Sequence, residues 1–207
     1  MGGHGGYAKS GLAHALDLTY GPGFREVYVG HAPEGMTVVG VSGSPSATSK
    51  SRVLVEYALA RVAERGAVTE LVDLARLPAD ALLGRGSAPA VTAALEATTR
   101  ARIVVAGTPV YRATYSGLLK LFFDLLPQDS LVGKIGVPLV TGHAAAHALS
   151  LDHGMRPLFA SLGATVIAGG MYVTSAQFQD GRPRPEVLEA VDRAVREALA
   201  LAGASPK

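Results

Sequence analysis

From residue 36 onward, short runs of continuous aliphatic residues alternate with longer runs in which apolar positions recur every three or four residues. Val38–Val41, Val68–Leu74, Ile103–Ala106, Ile135–Val140 and Thr165–Ala168 are expected as strands. Between them, helices are expected over Val53–Arg65, Ala90–Thr99, Ser116–Leu126 and Ala144–Leu162, and a last one over Pro185–Ala202. The first of these carries Leu54, Tyr57, Ala58 and Val62 on one side, as a helix covering a core would. Strands that are apolar throughout, each followed by a helix, predict a parallel sheet covered on both faces. In such a doubly wound α/β fold, ligands bind at the C-terminal ends of the strands, where the order of strands reverses.

Composition narrows the class. The 207 residues are 48% hydrophobic and 17% charged, with a net charge of +2 from dispersed basic residues, which argues for one folded domain and against a nucleic-acid surface. There is no cysteine, hence no disulfide, thiolate metal site or catalytic thiol. No apolar run reaches the roughly 18–20 residues of a membrane span, and no signal pattern opens the chain, so a cytoplasmic protein is expected. Residues 1–35 are rich in glycine and lie outside the alternating pattern. They are expected to be a mobile extension or an upstream start, followed by a domain over 36–207. The spacing of His4, His14 and His31 there fits no metal motif; later, His143 and His147 stand four apart, as a chelating helical pair can, but with Asp152-His153 beyond them no third ligand is evident and no metal is expected.

Three loops should converge at the C-terminal edge of the sheet. The first, Ser42-Gly43-Ser44-Pro45-Ser46-Ala47-Thr48-Ser49-Lys50-Ser51, joins a strand to a helix through a turn dense in hydroxyls. Backbone N–H groups, hydroxyls and the positive end of the helix dipole would all point at one small anion there. It is not a P-loop, because the second glycine is missing and the spacing is one residue too long, and G-x-G-x-x-G is also absent. On these residues alone, a helix capped by Ser49 or Ser51 explains the loop as well as a phosphate does. The second loop runs Thr108-Pro109-Val110-Tyr111-Arg112-Ala113-Thr114-Tyr115-Ser116-Gly117, and its tyrosines can frame a planar ring or fill core. The third is Thr141-Gly142-His143.

Gly43-Ser44-Pro45, the Ser49/Ser51 pair, Thr108-Pro109-Val110-Tyr111, Tyr115-Ser116-Gly117-Leu118-Leu119-Lys120 and Asp124-Leu125-Leu126-Pro127 resemble the NAD(P)H-dependent FMN reductases of the flavodoxin-like fold. Within them the chain is most similar to the reductases that serve two-component sulfonate monooxygenases. Thr141, Gly142, His147, Asp152 and Pro157 continue the likeness, which runs from residue 36 to about 200. The resemblance implies a five-stranded parallel sheet of order 2-1-3-4-5. It also implies hydride transfer from NADPH or NADH to FMN, no protein acid or base in that step, and release of reduced FMN to a flavin-dependent monooxygenase.

Carried over by position, Ser44, Ser46, Ser49 and Ser51 would surround the FMN phosphate. Pro109, Val110, Tyr111 and Arg112 would border the isoalloxazine with Tyr115, Ser116 and Gly117, and Thr141, Gly142 and His143 would lie on its pyrimidine side. Relatives often have arginine where Ser46 stands, which implies a looser grip on the phosphate, and Gly-Gly where Gly142-His143 stands. Tyr115, a possible gating residue, marks in that branch a one-residue π-turn at a subunit interface. The helix after it is apolar nearly all round, so a homodimer or homotetramer is expected. Two other readings stay open: an enzyme that retains FMN and reduces quinones, azo dyes or metal ions, and an electron carrier of the flavodoxin kind. Such carriers are usually strongly acidic, unlike this chain.

Overall fold

The computed structural model describes residues 32–203. The expected extension therefore lies, but for its last four residues, outside the described residues. Six parallel strands form the main sheet: β1 (Thr37–Ser42), β2 (Val68–Asp73), β3 (Ile103–Pro109), β4 (Ile135–Gly142), β5 (Thr165–Val166) and β6 (Met171–Thr174). Their order is β2-β1-β3-β4-β5, as the resemblance implied, with β6 also pairing with β4. Side chains alternate faces along each strand. Val38, Ile103, Val105, Val137 and Leu139 enter one buried cluster, and Val39, Val41, Val104, Ala106 and Val140 enter the other.

The first cluster is covered by α1 (Lys50–Ala63) and α6 (Pro185–Gly203). The second is covered by α2 (Ala79–Leu82), α3 (Pro89–Arg100), α4 (Gly117–Asp124) and α5 (Arg156–Ala160). Tyr57 and Arg61 of α1 reach Asp192 of α6, at 3.3 Å and 2.9 Å. Arg52 binds Glu56 and, across to the end of β2, Asp73 at 2.7 Å. Helix α1 is thus held at its back by α6 and near its start by β2, which fixes where its N-terminus points.

Three expectations are corrected. The last strand expected over Thr165–Ala168 is only Thr165–Val166, pairing with Ile135–Gly136, and a further strand, β6, follows it and pairs with Leu139–Gly142. The reason lies in the neighbour. Ile167 N–H donates to Gly136 O, so the outer edge of β4 is the one Pro138 faces two residues later, and proline has no N–H to offer there. The helix expected over Ala144–Leu162 changes type: a 3₁₀ turn over Ala145–Ala148, a π-helical segment over Leu151–Met155, then α5. No π-turn marks Tyr115, which precedes a regular α4 capped by Ser116. In the single chain Leu119, Phe122 and Phe123 of α4 are buried, while Leu118, Leu121 and the C-cap Leu125 are half-exposed and form an apolar stripe on its outer side. A small hairpin, β7 (Phe178–Gln179) with β8 (Arg182–Pro183), precedes α6 and was not expected.

Candidate flavin site

The three predicted loops leave the C-terminal ends of β1, β3 and β4, adjacent strands of the sheet, and direct hydrogen bonds join them. Gly43 N–H donates to Gly107 O at 2.8 Å. The Ser116 hydroxyl donates to Gly43 O and accepts from Leu119 N–H, so one side chain caps α4 and ties the second loop to the first. Thr108 Oγ1 accepts from Ser116 N–H at 2.9 Å. Val110 N–H donates to Thr141 O at 2.8 Å, which closes the second loop on the third. Close approach requires glycine at 107, where a Cβ would meet Val55 and would stand 2.8 Å from the Ser51 carbonyl oxygen.

The first loop is built from hydroxyls. Ser44, Ser49 and Ser51 are buried, and Ser46 is exposed at its tip. Ser49 caps α1 by accepting from Arg52 N–H at 3.2 Å, and its hydroxyl stands 3.0 Å from that of Ser51. Ser44 accepts from Ser46 N–H, and Ser46 from Thr48 N–H. The buried Ser42 hydroxyl has no hydrogen-bond partner among the described residues. A buried, hydroxyl-lined turn at a helix N-terminus, with an unsatisfied hydroxyl at its base, fits a phosphate group. The cations around this junction have contacts of their own, Arg76 with Asp73 at 3.3 Å among them. Hydrogen bonding to Glu56 raises the Arg52 pKa against the cost of burial. The Lys50 ammonium lies 5.5 Å from the centre of the Phe178 ring. Beside the loop opens a cleft of about 490 Å³, bordered by Thr48, Ser49, Lys50, Arg52, Arg76 and Gly181.

In the second loop Tyr111 and Thr114 pair across a two-residue turn, with Tyr111 N–H donating to Thr114 O at 2.9 Å. The turn residues Arg112 and Ala113 have φ of 51° and 70°, a left-handed conformation that favours glycine. Such strain persists where the surroundings impose it, and it concentrates at ligand sites. Pro109 and Val110 are half-buried at the root of the turn, Arg112 is exposed at its tip, and Tyr111 is 47% exposed. Tyr115 is half-buried, Ser116 is buried, and Gly117 is exposed as the first residue of α4.

In the third loop Thr141 is buried, Gly142 half-buried and His143 exposed. Tyr172 of β6 packs against Gly142, leaving no room there for a Cβ, and its hydroxyl donates to Ala144 O at 2.7 Å. Burial raises the pKa of this phenol above its usual 10.0. Tyr172 is a site-supporting residue that sequence reasoning missed, because β6 was not expected. Thr108 and Ser42 were read only as parts of loops, although their position at strand ends before glycine or proline was a usable signal.

Comparison with known proteins agrees with this geometry. A family model described as NADPH-dependent FMN reductase matches residues 36–179. An FMN reductase (NADPH) of Escherichia coli K12 is 36% identical over 152 residues, covering 73% of this chain and 80% of its own. An NADH-dependent FMN reductase, SfnE, of Pseudomonas putida is 37% identical over 175 residues, covering 82% and 94%. The apo structure of an NADH:FMN oxidoreductase, EmoB, superposes with a TM-score of 0.76 at 35% identity, over 83% of this chain and 92% of that one. A flavodoxin from the domain Archaea, at 13% identity and TM-score 0.60, shares the fold. With a match over most of its described length and relatives covered over 80% and 94% of their own, this chain belongs to the NADPH-dependent FMN reductase family.

Proposed function

We propose that this NAD(P)H:FMN oxidoreductase treats FMN as a substrate that comes and goes, releasing it reduced to a partner flavin-dependent monooxygenase. One observation carries the reading: the phosphate loop offers hydroxyls and N–H groups and no arginine of its own, while Arg52 at the start of α1 is committed to Glu56 and Asp73. Charge-assisted bonds from guanidinium are the strong ones for phosphate, so a loop without them holds its ligand less tightly. Bound FMN supplies the two-electron chemistry, and the protein supplies binding, orientation and exclusion of water.

Ser44, Ser49 and Ser51, with the first N–H groups of α1, hold the phosphate, and exposed Ser46 adds a hydroxyl at the loop tip. Pro109, Val110, Tyr111 and Arg112 border the ring, with Tyr115, Ser116 and Gly117 at the start of α4 beside it. Thr141, Gly142 and His143 take the pyrimidine side. With FMN held there, the nicotinamide of NADPH or NADH would bind over the flavin. A second copy of the chain covers Leu118, Leu121 and Leu125, giving a homodimer or homotetramer. No helix among the described residues is long and apolar enough to cross a membrane, and the cytoplasm is the proposed compartment.

Equilibrium titration of the purified protein with FMN, followed by quenching of flavin fluorescence, tests the release. A dissociation constant of about a micromolar or weaker is expected. Retention in the nanomolar range contradicts a diffusible product and favours an FMN-retaining reductase.

A further inference from the structure

Gly154 stands inside the π-helical segment Leu151–Met155 and is buried. Its φ is not left-handed, so conformational freedom does not explain a glycine there. Glycine also weakens a helix interior relative to alanine, which leaves close contact as the reason. A Cβ at position 154 would stand 2.6 Å from Thr114 Oγ1 and 3.3 Å from Tyr115 Cδ1. Thr114 closes the strained turn over Arg112 and Ala113, and Tyr115 immediately precedes Ser116, which locks the second loop to the first. The π-helical turn, wider than an α-turn, thus carries the residue on which the second loop rests.

We propose that Gly154 is a positioning residue and that Thr114 and Gly154 form a matched pair. The missing Cβ at 154 makes room for the threonine side chain, and their contact sets where Tyr115 stands against the flavin. The inference rests on the reading that the second loop borders FMN. It is specific to the pair: a methyl group added at 154 should be tolerated once the threonine hydroxyl and methyl are gone.

The test compares the full-length wild type with Gly154→Ala, Thr114→Ala and the double variant, measuring FMN affinity, the KM for FMN and the unfolding midpoint of each. Gly154→Ala is expected to weaken FMN binding about tenfold and raise the KM for FMN in step, with kcat at saturating FMN nearly unchanged. The double variant is expected to bind within about twofold of Thr114→Ala, the non-additivity that marks two residues in contact. The pairing is overturned if Gly154→Ala binds FMN as the wild type does. It is equally overturned if the loss, or a fall in unfolding midpoint, is as large in the double variant. A wild-type protein that binds no FMN sinks the flavin reading itself, a result distinct from both.

Discussion

Ser51 has no exposed surface, and its hydroxyl stands 3.0 Å from that of Ser49, which is already engaged with Arg52 N–H. A hydroxyl can donate one bond and accept two, and one neighbouring hydroxyl does not exhaust that capacity. An anion held at the helix start would. Ser51→Ala should therefore weaken FMN binding roughly tenfold or more, the value of a hydrogen bond to a charged group, with little change in the unfolding midpoint. Fluorescence titration beside a thermal melt checks both halves, and affinity equal to wild type would remove Ser51 from the site. Ser49 makes a poorer probe, since losing the cap costs the helix about 1 kcal/mol as well. At this scale much was legible, because the spacing of Ser44, Ser49 and Ser51 before an amphipathic run already describes a helix start that gathers donors. What it left open is whether the serines cap or bind: Ser49 does cap α1, and binding of a phosphate by the same loop is the proposal that the Ser51→Ala titration tests.

Among the elements, β1, β3 and β4 announce themselves because a central parallel strand must be apolar on both faces. The break between β5 and β6 was not legible, since its cause, Pro138, belongs to the neighbouring strand and acts through a missing N–H. With β6 unread, Tyr172 went unread too, although it supports the third loop through Gly142 and Ala144 O. Its phenol ionises later in the folded protein than its usual 10.0, because burial disfavours the charged form. A raised pKa of this kind contributes stability that is full below the unfolded value and is lost as pH rises through the folded one. The third loop should then loosen above pH 10, where the phenolate no longer donates to Ala144 O. FMN affinity in the wild type should fall over that range by a step that Tyr172→Phe lacks, which a titration at stepped alkaline pH measures. Identical alkaline profiles for the two proteins would contradict this role.

For the molecule as a whole, the layers decide where the chemistry can be. Helix α1 is fastened to α6 by Asp192 and to β2 by Arg52, so its N-terminus is aimed at the edge from which the three loops rise. The same edge carries a strained turn, a hydroxyl-lined loop and an exposed tyrosine, all joined by hydrogen bonds through Gly43, Ser116, Val110 and Thr141. A scaffold of this kind serves a flat cofactor with a phosphate tail. Oxidation of NADPH or NADH by the purified protein, followed at 340 nm with and without added FMN, tests that most directly. The account predicts slow oxidation without flavin and a saturable rise as FMN is added. No oxidation with either nicotinamide at any FMN concentration would contradict it.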